Sequence, residues 1–305
     1  KQIQLGLVHV AVAMTLVPIN STLNRVMIKE LEISATLVAI LASLPYLFSP
    51  LQVAIGSYSD RHPILGFRRT PYIALGLLLC VIGVIVSPQV AFLMAASPAL
   101  GILAAALAFG AWGMGYNLSA VSYLSLATEI SGEKSRGRTI AIMWFMMIVS
   151  IILTSISISR MVEPYSPQVL EQAFIVVALA ALGLGILGLI KVEERSAKGQ
   201  TRSAEEHSLG EMVRVIRKSP QVTTFFFYLL LLLAAILGQD ILLEPFAAEA
   251  FGMTVQQTTR ITSIWGVSVL LAILAAGALE RRAPRKAVAQ TGNLGALTGF
   301  LFIIA

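Results

Sequence analysis

Long apolar stretches divided by short polar ones set the pattern of this chain. A bilayer core about 30 Å thick needs about 20 apolar residues at 1.5 Å each. Stretches of that length lie near 4–28, 34–58, 71–92, 98–128, 139–160, 173–191, 222–247 and 258–279, and a ninth starts near 287. Each predicts a helix that crosses a membrane. Single buried helices of soluble proteins are equally apolar, but no soluble core hides eight or nine in succession. The connections 59–70, 129–138, 191–221 and 280–286 hold 3, 3, 7 and 4 Lys/Arg, which is 17 of the 22. The alternate connections hold only Lys29, Arg160 and Arg260, with Arg25 inside the end of the first span. Positive residues stay on the cytoplasmic side, so this alternation predicts a cytoplasmic N-terminus and a cytoplasmic central loop. The expected fold class is an all-α polytopic membrane protein.

Composition agrees. The 305 residues are 57% hydrophobic and 12% charged, with a mean hydropathy of +0.83, against about 25% charge in soluble domains. One cysteine, Cys80, and three histidines exclude a disulfide framework and a multi-ligand Cys/His metal centre. The formal charge of +6 comes from scattered clusters rather than one basic face, which argues against a nucleic-acid partner. The chain starts at Lys1 and stops inside the apolar run 297–305, so it reads as a piece of a longer protein, and its front carries no cleaved signal peptide pattern. Residues 1–192 are expected to form a six-helix bundle, 193–221 a connector, and 222–305 the first part of a second bundle. Within the connector, Leu209, Met212, Val213 and Ile216 recur at helical spacing beside Arg214, Arg217 and Lys218. That predicts an amphipathic helix on the cytoplasmic leaflet, with a solvated linker as the alternative.

The second set of spans echoes the first at an offset of 220 residues: Ser59-Asp60-Arg61 answers Leu279-Glu280-Arg281, and Leu23-Asn24 answers Leu243-Glu244. The loop after span two, Gly56-Ser57-Tyr58-Ser59-Asp60-Arg61 followed by Gly66-Phe67-Arg68-Arg69, resembles the signature G-x-x-x-D-R-x-G-R-R of the major facilitator superfamily, with four extra residues, Pro63 among them. Ser135-Arg136-Gly137-Arg138 looks like that family's element after span four. The blocks Leu23-Asn24-Arg25-Val26-Met27-Ile28 and Gln239-Asp240-x-Leu242-Leu243-Glu244-Pro245 narrow the resemblance to the PucC/LhaA branch, the bacteriochlorophyll-delivery group of the superfamily.

The resemblance implies two six-helix bundles, of which this chain holds helices 1–8 and part of 9. It implies a membrane carrier or assembly factor that delivers a chlorophyll or bacteriochlorophyll to light-harvesting or photosystem subunits, in a thylakoid or bacterial photosynthetic membrane. Gly56, Asp60, Arg61, Arg68, Arg69, Arg136, Glu280 and Arg281 are then expected to form a conformational gate. An acid at a helix end beside arginines pairs in one conformer and releases in another.

Ionisable groups inside spans cost about 2.5–3.5 kcal/mol on insertion scales and are candidates for function. Arg25, Asp240 and Glu244 qualify, at comparable heights on spans one and seven. Arg25 is expected to face Glu244 or Asp240 across a cavity, with Asn24 and Gln239 sharing the hydrogen bonds and Asn117 of span four as a further lining residue. The alternative is that all three charges snorkel to the outer headgroups. His9, among Leu, Val and Ala, is a candidate axial ligand for a pigment magnesium, against a plain hydrogen bond to a neighbouring helix. No Walker loop, His-Glu metal spacing or Ser/His/Asp set occurs, so no enzyme is expected. Two rivals remain: a proton-coupled transporter of a small solute, and a membrane scaffold for antenna assembly that transports nothing.

Overall fold

The structure, a computed structural model, describes residues 1–49, 51–195, 220–279 and 282–304. The chain opens with α1 (Gln2–Met14), prolonged to Glu30 by two wide turns with i→i+5 bonding, Pro18–Leu23 and Val26–Glu30. Pro18 has no N–H for the carbonyl four residues back, and the ladder widens from there. The second apolar stretch forms α2 (Ala35–Ala42), α3 (Leu44–Leu47) and α4 (Leu51–Arg61). The continuous helix expected over 34–58 is therefore broken, because the ring of Pro45 cannot continue the α ladder.

The next helix, α5 (Thr70–Ala96), passes through Pro88 unbroken. Ser87 Oγ donates a 2.9 Å bond to the Val84 carbonyl that Pro88 leaves unserved. Helix α6 (Pro98–Met161) is divided at Gly132, whose φ of 61° and ψ of 174° suit glycine alone. Its first limb is Pro98–Gly132 and its second Ser135–Met161. Helix α7 (Pro167–Leu189) starts on Pro167 with Ser166 Oγ accepting from Val169 N at 3.2 Å, a favourable helix start. α8 (Pro220–Phe251), α9 (Val255–Leu279) and α10 (Arg285–Ile304) follow.

Among the described residues six helices are long and apolar enough to cross a bilayer: Gln2–Glu30, Thr70–Ala96, the two limbs of α6, α7 and α9. Of the nine stretches expected from hydropathy, these are the first, the third to the sixth and the eighth. The second stretch is broken by proline, and α8 carries the shorter apolar helix Pro220–Ile236. The amphipathic helix expected over 209–218 lies outside the described residues.

Packing directions alternate. Gly76 lies on Gly115 and Gly83 on Trp112, so α5 and the first limb of α6 run antiparallel. A Cβ on Gly76 would stand 2.6 Å from the Gly115 carbonyl oxygen, so this crossing requires glycine on both sides. Gly6 meets Met146 and Gln2 bonds Thr139 at 3.0 Å, which sets α1 parallel to the second limb. Trp112, Phe109 and Phe174 are fully buried, whereas Phe225, Leu231, Leu107 and Leu274 face outward. Apolar surface on that scale is ordinary against lipid and not against water. The molecule is an all-helical, polytopic membrane protein.

Candidate functional site

Span one, α8 and α9 meet where hydroxyls interrupt the apolar packing. Ser21, Thr22, Thr258, Thr259 and Glu244 are all buried there, Glu244 to 2% exposure. Glu244 Oε1 accepts hydrogen bonds from Ser21 and from Thr262 (2.6 Å), and Thr262 lies 3.3 Å from Ser21 Oγ. The Thr22 and Thr259 hydroxyls share a 3.1 Å bond. The second limb of α6 joins through Ser155, which donates to the Thr259 carbonyl, and Ser159, which donates to that of Gln256 at 2.8 Å. Short hydroxyl side chains let helices approach and bond across the gap. Glu244 Oε2 has no partner among the described residues. The carboxylate lines a cavity of about 140 Å³ with Asn20, Tyr46, Ile151 and Trp265. Chemically, the bare oxygen can accept one hydrogen bond or hold one proton.

Arg25 is 3% exposed and does not pair with Glu244. Its guanidinium donates to Glu30 and, at 3.0 Å, to the Met253 carbonyl, while Nε has no partner among the described residues. The sequence expectation assumed an α-helix, in which a residue five positions on lies about 140° away. The wide turn Val26–Glu30 instead brings Glu30 round to Arg25. Lys29 and Glu249 form a 2.6 Å bridge at the same end, largely exposed, so it contributes little.

The other expected cavity residues disperse. Asn24 is buried and bonds the Asn20 carbonyl of its own helix at 3.0 Å, with Oδ1 unpartnered. Gln239 is half-buried. The side chain of Asp240 lies outside the described residues. Asn117 lines no part of the Glu244 cavity. It bonds the carbonyls of Pro45 (2.7 Å) and Gly113 (2.9 Å) and accepts from Gln52. Every polar atom of that side chain is occupied in holding the broken second stretch against α6. His9 is 5% exposed, with its ring 5.0 Å from that of Tyr123 and 5.7 Å from that of Trp144. Its Nδ1 is buried without a partner among the described residues. Among the described residues no three His, Cys, Asp or Glu side chains converge on a metal position.

At the opposite end the basic loops meet. The tight turn Ile64–Phe67, with Leu65 and Gly66 at φ 54° and 83°, is closed by two 2.9 Å backbone bonds. It takes in the last two of the four extra residues, Ile64 and Leu65, and returns Arg68 and Arg69 to the bundle. Glu193 then receives the backbone N–H groups of Arg68 (2.8 Å), Arg69 (3.1 Å) and Thr70 (2.7 Å), an anion at the start of α5. Arg69 donates to Ser59 (2.8 Å) and Glu129 (3.2 Å), and Arg68 lies 3.6 Å from Glu129. The hydrogen bond from Lys1, at 2.7 Å, and its charge hold the Glu194 carboxyl below the usual carboxylate range. Arg61 and Arg136 are exposed. Gly56 packs 3.3 Å, measured from an added Cβ, from Val121. Glu280 and Arg281 lie outside the described residues, as does the Asp60 side chain.

Sequence reasoning missed Ser21, Thr262, Glu129 and Glu193. Ser21 stands one turn before Arg25 in an apolar span, and both glutamates border basic loops, so spacing and charge were signals for them. Thr262 offered no signal beyond a hydroxyl in an apolar helix.

The chain is similar to proteins of Cereibacter and Rhodobacter. Protein PucC of Cereibacter sphaeroides is 31% identical over 100% of this chain and 68% of its own length. Protein PucC of Rhodobacter capsulatus is 28% identical over 99% of this chain and 68% of its own. The bacteriochlorophyll synthase 44.5 kDa chain of Rhodobacter capsulatus is also 28% identical, over 99% and 70%. The PUCC protein family profile matches residues 22–305. With the match running from the Thr22 hydroxyl through the Glu244 site to the last helix, this chain belongs to the PucC family.

Proposed function

We propose that the protein is a carrier or assembly factor that binds a chlorophyll-type pigment and delivers it to light-harvesting or photosystem proteins, without catalysing a reaction. The observation that carries this reading is the Glu244 cavity: a polar floor of Ser21, Thr262 and a bare carboxylate oxygen beneath apolar and aromatic walls. A greasy ligand with one polar handle matches that lining. Its volume of about 140 Å³ is below the 300–1,000 Å³ of whole-ligand sites, so it suits one polar substituent rather than a complete tetrapyrrole. Two relatives named PucC and one named as a bacteriochlorophyll synthase chain support the pigment class.

The wider architecture in this reading is that of the major facilitator superfamily, with residues 1–192 as one bundle and 222–305 opening the second. The basic end is cytoplasmic, and the Arg68, Arg69, Glu129 and Glu193 contacts break and re-form as the bundles move. An absorption spectrum of the protein purified in mild detergent tests the proposal. Bound pigment that falls several-fold in Glu244→Gln supports it. Colourless protein that takes up a solute with a pH gradient would instead make Glu244 a proton carrier, a reading the bare Oε2 also serves. Antenna polypeptides retained unchanged in colourless protein would favour a scaffold.

A further inference from the structure

A second cavity, about 430 Å³, opens between the second limb of α6 and α9 and shares no lining residue with the Glu244 cavity. The two helices run antiparallel, since Ser155 bonds residue 259 and Ser159 bonds residue 256. That register sets Arg160, in the last turn of α6, opposite residue 255, so Arg260, in the second turn of α9, stands about 7.5 Å along the axis from it on the wall of the same cavity. Both line the cavity and both are exposed. Neither makes a hydrogen bond or ion pair with any described residue. Their neighbours at this end behave differently, because Arg25 is taken by Glu30 and Lys29 by Glu249. Beside the two arginines the walls are Ile152, Ile156, Ile264 and Val267. Among them Ser263, 5% exposed, holds a buried hydroxyl without a partner among the described residues.

Two planar cations without an acidic partner among the described residues, set in the wall of an apolar groove, form an amphiphile-shaped site. Guanidinium forks match phosphate oxygens and form charge-assisted bonds with them. An apolar slot between helices at the depth of lipid tails takes an acyl chain at little cost. We propose that this groove binds an anionic phospholipid. Arg160 and Arg260 hold its phosphodiester, Ser263 donates to an ester carbonyl, and one chain runs along the isoleucines. The lipid lies against the hydroxyl contacts that join the second limb of α6 to α9, and so braces the two parts of the chain. This inference is independent of the pigment reading.

The test reconstitutes the full chain into vesicles of equimolar phosphatidylglycerol and phosphatidylcholine, extracts it in mild detergent, and measures retained lipid by native mass spectrometry. Phosphatidylglycerol should be retained over phosphatidylcholine by roughly tenfold, the scale of one charge-assisted contact pair. Arg160→Gln/Arg260→Gln should abolish that preference, and Arg160→Lys/Arg260→Lys should restore part of it. Because both side chains are exposed and unpaired, the elution profile and helical content should not change. Ile156→Trp, with both arginines intact, should lower retention by filling the slot. Equal retention of the two lipids by the parent protein, or a preference surviving the double glutamine change, overturns the proposal. So does inorganic phosphate protecting the lipid-free protein against heat as well as phosphatidylglycerol does, since the acyl chain would then play no part.

Discussion

At Glu244 two hydroxyls serve one carboxylate oxygen and, among the described residues, none serves the other. Glutamine keeps the accepting oxygen and removes the charge. Glu244→Gln should therefore leave the unfolding midpoint in detergent within about 1 kcal/mol of the parent while bound pigment falls. A large loss of stability instead would make the carboxylate structural. Arg25 is the opposite case, since its partners depend on it. Arg25→Gln strips the charge-assisted bond to the Met253 carbonyl and leaves Glu30 beside a neutral amide. A destabilisation of about 1–3 kcal/mol is expected, read as a lower unfolding temperature. Glu30→Gln should cost less, because the Glu30 side chain is 37% exposed and water can replace its partner.

Among elements, α5 and the first limb of α6 touch backbone to backbone at Gly76 and Gly115. An added Cβ at Gly76 would meet Ser119 Oγ at 2.4 Å as well as the Gly115 oxygen, and neither has room to retreat. Gly76→Ala should destabilise by about 1–3 kcal/mol through overpacking, whereas Gly183→Ala, with nothing within 4 Å, should be neutral or slightly stabilising. Thermal unfolding of the pair of variants checks this. Proline acts differently in two neighbouring elements. Pro45 ends a helix and Asn117 takes its carbonyl, while Pro88 is carried through by Ser87.

Across the whole molecule, Glu193 ties the end of the first six apolar segments to the start of α5, and Arg69 ties that start to Glu129. Glu193→Gln keeps the geometry and loses the charge at the helix start, so about 1 kcal/mol should go. It should also raise the hydrogen exchange of the amides at 68–70. Much of this frame was legible beforehand. The apolar stretches located the helices, and at one end of them Lys1, Arg68 and Arg69 meet acids. The candidate site was legible only by halves. Arg25 and Glu244 were found because charge in an apolar span stands out, but their partners were not, because a hydroxyl or a carbonyl leaves no such mark.

The chain's own residues determined that it lies in a membrane, which stretches are helical, and which buried charges need an explanation, because apolar length and charge spacing act locally. Tertiary structure alone decided who serves those charges. Arg25 turned to Glu30 once the helix widened, Glu244 took Ser21 and Thr262, and Asn117 became a brace. Each of those outcomes depends on helix winding and on neighbours as far as 241 residues away, which no local pattern encodes.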